Sequence, residues 1–404
     1  MFSQGWMWVL GVAAALGLLS QRPLFFAAAL LALATSLVVV AWGRVAFRGV
    51  VFVRRIKPDR VFPGDLVTLS LAVENRKRLP LPWLRLEEQV PEEAAFARGK
   101  VEAHYLPRRA RLVSAFQVGW YERVTHHYQV TLARRGSYAF GPCQVTTGDL
   151  FGFEKVHRDD PGTAELLVFP PVVPLEQLGL PPGLPLGGVR SRNALEVDPA
   201  AIAGTRAYDP RDDFRDVHWY ATARLGDLQT KVYEPMMDQS VAVFLNAATM
   251  DPAWAGQYPA WLETAVTTAA SVLHDCSEGR IPIGLYSNGH VQGQGSTLRL
   301  PVGAPASVFA ASLEGLARLL APPVVAFDAL LLQEAPRLPA GATVLVVTAV
   351  VSEGLRQVLA EVSATRAVVA LLVGEASVPA LPGVSVHRVT WEGGRDDAVQ
   401  VVAL

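Results

Sequence analysis

Cysteine is nearly missing from this chain. Two occur in 404 residues, Cys143 and Cys276, far apart and in no CxxC pair. That argues against a disulfide framework or a thiolate zinc site and leaves both as small buried apolar residues. An excess of charge of one sign is missing too. Thirty-six Lys and Arg stand against 37 Asp and Glu, so nothing electrostatic points to nucleic acid as a partner. No GxxxxGK[ST] loop occurs, which excludes a P-loop NTPase, and GxSxG, HExxH and GxGxxG are absent as well. Internal repeats and low-complexity tracts are lacking.

Charge is also absent locally, from residues 1–20 and 24–43. Each stretch is about 20 residues, enough for ~30 Å of hydrocarbon at ~1.5 Å rise per residue. With only Gln21, Arg22 and Pro23 between them, the expectation is a two-helix membrane anchor over residues 1–43, a transmembrane helical hairpin. The first stretch lacks the basic start of a cleaved signal peptide. Arg44, Arg48, Arg54, Arg55, Lys57 and Arg60 follow the second. The positive-inside rule then predicts a two-pass protein of the cell (inner) membrane with its soluble domains in the cytoplasm.

From Val50 the rhythm of the chain changes. In "DLVTLSLAVEN" Val67, Leu69, Leu71 and Val73 alternate with Thr68, Ser70, Ala72 and Glu74, the period of a half-buried strand. Short strands broken at Arg135-Gly136 and Gly141-Pro142 continue the pattern, so residues 50–157 read as an antiparallel β-sandwich. His126 and His127 fall in one strand and point to opposite faces, which prevents joint chelation. Residues 158–189 are rich in Pro and Gly and read as a linker holding one short strand, "ELLVFP".

Residues 190–404 alternate strand and helix. "VAVFL" is a buried strand. A helix over 261–276 places Leu262, Ala265, Val266, Ala269, Val272, Leu273 and Cys276 on one face. "IPIGLYSNGHVQGQGSTLRL" predicts a hairpin around its Gly/Asn turn, and a helix over 305–320 turns Phe309, Leu313, Leu316 and Leu320 inward. Strand "ATVLVVT", a helix over 353–362, and strands "AVVALLV" and "VSVHRV" complete an α/β domain with an open, mostly parallel sheet.

Ligands of such sheets bind beyond the carboxyl ends of the strands. There the first strand is followed by Asn246, Ala247, Ala248, Thr249, Met250 and Asp251. A Mg²⁺ site needs hard oxygen ligands, usually with a carboxylate. Asn246 is neutral, Ala248 and Met250 offer no side-chain oxygen, and Thr348 after a later strand is followed by Ala349. No metal or cofactor is expected. Thr249, Asp251 and Thr348 are what a rebuilt ion site would have to use.

One stretch departs from the chain's 18% charge: "RAYDPRDDFRDVHWYATAR", residues 206–224, in which eight of nineteen residues are Asp or Arg. Asp209, Asp212, Asp213, Asp216 and His218 could serve acid–base chemistry. However, Arg206, Arg211 and Arg215 stand within a few residues of them. Mixed clusters of this kind form hydrogen-bonded ion-pair networks, whereas catalytic carboxylates sit in apolar clefts that raise their pKa. The stretch therefore reads as a clamp tying the linker to the α/β domain, with Trp219 and Tyr220 anchored on the sheet; the alternative for the same residues is a docking surface.

Tyr208, Pro210, Asp212, Asp213, Arg215, Val217, Trp219, Ala223 and Arg224 follow the spacing Y-x-P-G-D-D-x-R-x-I-x-W-x-x-x-A-R. In this the chain resembles the domain of unknown function fifty-eight family, with Arg211 in place of Gly. Residues 134–156 are similar to that family's upstream R-G-x-Y-x-x-G-P segment. The resemblance implies a von Willebrand factor type A-like C-terminal domain with a degenerate metal-ion-dependent adhesion site: Asn246, Ala248 and Met250 stand where Asp, Ser and Ser would coordinate, and Ala349 where a later Asp often stands. It also implies company, since members are typically encoded beside MoxR-type AAA+ ATPases. The expected function is a membrane-anchored, non-enzymatic scaffold or adaptor for protein partners. The alternatives are a metal-dependent adhesion or ligand-binding module using Thr249, Asp251 and Thr348, and an envelope-associated hydrolase using Asp212, Asp213 and His218.

Overall fold

Alternation at period two and apolar runs at helical spacing both become structure, in two separate units. A computed structural model describes residues 12–13, 15–17, 19, 23–148, 155–181, 197–235, 240–293, 295–374 and 381–391. The chain divides into Met1–Phe169 and Pro170–Leu404.

The first unit begins with helix α1, Pro23–Val45. Proline at its first position suits a helix start, where the missing N–H would be unpaired anyway. Leu24–Val45 has a mean hydropathy of 2.6 and is long and apolar enough to cross a membrane. It is apolar all round, with Leu24, Leu31 and Val38 exposed, as a span facing lipid requires. The residues described between 12 and 19 are helical as well. Most of the other expected span, residues 1–11, 14, 18 and 20, lies outside the described residues, so one spanning helix is seen and not the hairpin.

Among the described residues of this unit twelve strands come after it: β1 Val50–Lys57, β2 Arg60–Val61, β3 Val67–Asn75, β4 Leu81–Pro91, β5 Ala95–Phe96, β6 Lys100–Ala103, β7 Arg109–Val118, β8 Arg123–Thr131, β9 Gly136–Phe140, β10 Cys143–Gly148, β11 Lys155–Asp160 and β12 Ala164–Val168. They form sheets ordered β1-β3-β8-β5, β11-β10-β4-β7-β6 and β2-β12-β9. Val67, Leu69, Leu71 and Val73 of β3 share one core with Leu84, Leu86, Leu112 and Phe116 of β4 and β7. His126 stacks on Phe116 at 4.1 Å between ring centroids, while His127 hydrogen-bonds Ser70 at 2.9 Å. The region expected as a linker is partly strand. Its Pro161-Gly162 pair lies in the short connection between β11 and β12. The run through Leu166, Leu167 and Val168 is buried and pairs with β9 and β2.

In the second unit a two-stranded ribbon, β13 Val197–Ala207 and β14 Gln229–Pro235, carries the short helix α2, Trp219–Leu225, in its connection. Then come β15 Val241–Leu245, α3 Pro259–Glu278, β16 Ile283–Val291, β17 Thr297–Gly303, α4 Pro305–Ala317, β18 Leu319–Pro323, α5 Phe327–Glu334, β19 Thr343–Thr348, α6 Glu353–Ser363, β20 Val368–Val373 and β21 Val384–Val389. The sheet runs β17-β16-β15-β19-β20-β21, with β18 also beside β16. β16, β15, β19, β20 and β21 are parallel, and β17 and β18 run antiparallel to β16. Every residue of β15, β19 and β20 is buried, which is why they read as unbroken apolar runs.

Two expectations need correction. "SNG" is not the hairpin turn: β16 passes through it with Ser287 and Asn288 buried and ends only at Val291, with antiparallel β17 beginning at Thr297. The predicted helix over 305–320 stops at Ala317, and Leu320 is exposed in β18. Pro322 and Pro323 explain this, because a residue before proline is pushed toward extended backbone. "QTKVYEP", strand β14, pairs antiparallel with β13 in a sheet of its own.

Candidate functional site

Parallel strands β15, β16 and β19 end on one side of their sheet, and the loops there line an open cleft of about 230 Å³. Asn246, Ala248, Met250 and Asp251 line it, with Asn288 from β16 and Asp328 from α5. Asn246 and Thr348, distant in sequence, meet: the Asn246 amide donates to Thr348 Oγ1 at 3.1 Å. Thr348 Oγ1 in turn donates to the Val350 carbonyl at 2.6 Å. Asn288 ties the same point together. Its Nδ2 donates to Asn246 Oδ1 and to the Val325 carbonyl, each at 3.2 Å, and its Oδ1 accepts the Ala247 N–H at 2.8 Å. Thr249 Oγ1 is turned away to accept the Tyr258 N–H at 2.8 Å.

These residues do not fit a hard cation. Asn246 presents an N–H donor toward Thr348 where a carboxylate would be needed, Ala248 and Met250 add no oxygen, and Ala349 is buried. Among the described residues no three His, Cys, Asp or Glu side chains are grouped to share a metal.

The 206–224 stretch is built around a single carboxylate. Asp212 receives Arg206 in a two-pronged pair, Nη1 at 2.7 Å and Nη2 at 2.5 Å. It also accepts the Asp209 N–H at 2.9 Å and the Thr230 hydroxyl at 3.1 Å. Arg206 and the neighbouring N–H hold its carboxyl well below the usual range, at about 2. Asp209 Oδ1 accepts the Arg211 N–H at 3.0 Å, closing an Asx turn. Arg211 is not among the described non-glycine residues with positive φ, so this turn has no need of glycine there. Asp213 caps a short 3₁₀ turn over Phe214–Asp216 by accepting the Arg215 N–H at 3.1 Å. His218 caps α2 through Nδ1, which accepts the Ala221 N–H at 3.0 Å. The Gln229 N–H reaches Thr222 Oγ1 at 3.0 Å.

All of these bonds close between Arg206 and Thr230, so the network fastens the ribbon's two strands and their connection to each other. The expectation that Trp219 and Tyr220 anchor on the sheet is wrong: they are 60% and 77% exposed. Val217 is the buried residue, bridging to Thr230. Ala221 and Thr222 are half-buried on α2, leaving the rings on its outer side. Phe214 stands between Tyr208 and Trp219, edge-on to both, at 6.4 Å and 5.5 Å. Leu225, Arg211, Arg215 and Arg224 of the same stretch are exposed as well. Sequence reasoning missed Asn288 and Asp328 as cleft residues and Thr230 as a partner of Asp212. A polar residue inside a strand that is otherwise buried could have signalled the first; nothing in the sequence around Thr230 signals the last.

The upstream segment is structural as well. Gly141 has φ +97°, and a Cβ there would collide with the Gly162 carbonyl and lie 2.9 Å from the Arg54 guanidinium carbon. The close approach makes room for a buried pair. Arg54, 5% exposed in its side chain, holds fully buried Glu88 through Nε and through Nη2 at 2.9 Å. Burial pushes both the Glu88 carboxyl and the neighbouring Cys143 thiol up.

A two-stranded ribbon carrying a charged motif and an α/β sheet make up the second unit, and comparison finds a family model that matches this part of the chain. Residues 204–392 match the model of a family described as protein of unknown function DUF58. The uncharacterized protein YeaD of Bacillus subtilis (strain 168) is 24% identical over 242 residues, 58% of this chain and 55% of that protein. The match thus spans about half the length of that relative. Among solved structures, the CARDB domain of a Pyrococcus furiosus protein is similar at 15% identity over 30% of this chain and 96% of that one, with a TM-score of 0.21. A non-cellulosomal cohesin from Archaeoglobus fulgidus is similar at 10% identity, 26% and 82% coverage, and a TM-score of 0.19.

Proposed function

We propose that this chain is a membrane-anchored, non-enzymatic scaffold whose 206–224 motif docks a protein partner, a MoxR-type AAA+ ATPase. The observation that carries this reading is a motif whose inner polar groups pair among themselves while its rings face outward. A catalytic site would need its acid and base aimed at a cleft. Here Asp212 is fully engaged by Arg206, Asp209 and Thr230, and His218 caps a helix. Exposed Trp, Tyr and Arg are the side chains that dominate the energetics of protein interfaces. The α/β unit is read as von Willebrand factor type A-like with a degenerate adhesion site, its ion position taken by the Asn246–Thr348–Asn288 network. Helix α1 is the anchor, and the cations that follow it favour a cytoplasmic location for both units.

The test uses the full chain in nanodiscs and the purified ATPase. The double variant Trp219→Ala/Tyr220→Ala is expected to weaken binding by at least about tenfold, as loss of central interface aromatics does, with the melting temperature unchanged. Unchanged affinity would sink the docking face. The rebuilt-ion-site alternative has one point in its favour, that Asp251 and Asp328 line the same cavity. Calorimetry with Mg²⁺ and Mn²⁺ is expected to show no saturable heat; binding lost in Asp251→Ala would favour that alternative.

A further inference from the structure

The end of α1 is not a free tether. Lys77, in the turn between β3 and β4, donates its ammonium to the Val45 carbonyl at 2.8 Å and to the Ala46 carbonyl. These are the carbonyls a helix leaves without partners at its C-terminus, and a cation suits that end of the dipole. The Gly49 carbonyl beyond the helix accepts the Arg76 N–H at 2.8 Å. The same turn holds the β7–β8 loop. Asn75 Nδ2 donates to the Gly119 carbonyl at 2.7 Å, and the Tyr121 N–H reaches the Lys77 carbonyl at 3.3 Å. The β7–β8 loop is therefore fastened beside the point where α1 would leave the hydrocarbon.

That loop carries Trp120 and Tyr121, 70% and 67% exposed. Tyr121 has φ +51°, a backbone region that non-glycine residues occupy at a cost and that marks functional loops. Around it Arg44, Arg48, Arg78 and Arg123 are exposed. The nearby carboxylates are engaged: Glu74 pairs with Arg76 at 2.6 Å, and Glu122 accepts the Gly119 N–H at 2.5 Å. Amphipathic rings and long cations are what the water–lipid boundary favours, the rings at headgroup depth and the cations on phosphates.

We propose that the β7–β8 loop seats in the headgroup layer of an anionic bilayer, with Trp120 and Tyr121 at the interface and Arg44, Arg48, Arg78 and Arg123 on lipid phosphates. The first unit then stands on the membrane in a fixed orientation. This rests on α1 being a span. It identifies the partner of the loop as phospholipid rather than protein.

The experiment places an environment-sensitive dye on single cysteines in the full chain: Trp120→Cys in the loop, Leu37→Cys in mid-helix, and Glu93→Cys beyond the far end of β4. β4 has eleven residues, so the last lies more than ~30 Å from the loop end at ~3.3 Å per residue. Cys143 and Cys276 are buried and stay unlabelled in the folded protein. The chain is reconstituted into phosphatidylcholine vesicles with and without phosphatidylglycerol, carrying nitroxide on the headgroup or in mid-chain. Headgroup nitroxide is expected to quench position 120 and not 93, more strongly with phosphatidylglycerol, and mid-chain nitroxide to quench 37. Arg78→Gln/Arg123→Gln is expected to remove the phosphatidylglycerol dependence. Quenching at 37 with none at 120 overturns the inference and leaves the anchor standing. No quenching at 37 overturns the anchor, and the inference falls with it.

Discussion

Two carboxylates at the residue scale show how differently a charge can be held. Asp212 sits in a shallow, partly exposed network, and its depressed pKa carries a pH signature. Its contribution to ribbon stability is fully present above the unfolded value near ~4 and is lost as pH falls through the folded value of about 2. A carbon-13 carboxyl titration is expected to find that low midpoint in the native chain and a rise toward the ordinary value in Arg206→Met. Glu88 is the opposite case, buried with Arg54. Arg54→Met strands a charge and is expected to cost about 3–5 kcal/mol in urea unfolding. Arg54→Met/Glu88→Leu should recover much of that, since an apolar pair needs no desolvation. A double variant no more stable than the single would show that the pair's geometry, not its charge, holds the site.

At the scale of elements, what the sequence made legible followed periodicity. The seven inward residues read from α3 are all buried, because one helical face against a sheet leaves a clean 3.6-residue signal. Strands β15, β19 and β20 were equally plain. The failures came where a polar residue does a core residue's work. Asn288 looks like turn chemistry beside Gly289, yet it lies inside β16 because its amide finds Asn246, Ala247 and Val325. β13 and its pairing with β14 carried no readable pattern, and Trp219 looked like an anchor because aromatic burial is the commoner outcome. Asp212 could not be told from Asp213, since only the fold brings Thr230 across to one of them. Asn288→Ala would take the partner from the Ala247 N–H and the Val325 carbonyl, Asn246 Oδ1 still accepting the Ala248 N–H, and is expected to destabilise the second unit by about 2–4 kcal/mol, measurable by urea unfolding. A neutral effect would mean that the cleft readily admits water in its place.

For the whole molecule the consequences concern place and time. A reporter at the C-terminus is expected to report the cytoplasmic side, and opposite sidedness would remove the ATPase as a docking partner. Time enters through Asn288-Gly289. An asparagine followed by glycine is prone to cyclise onto the next backbone nitrogen, and asparagine is a recognised thermolabile residue. The strand holds this backbone extended and occupies the amide nitrogen with two acceptors. Folded copies are thereby shielded from a chemical clock that runs in unfolded ones. A copy that has aged there would carry a third carboxylate in the cleft that Asp251 and Asp328 already line.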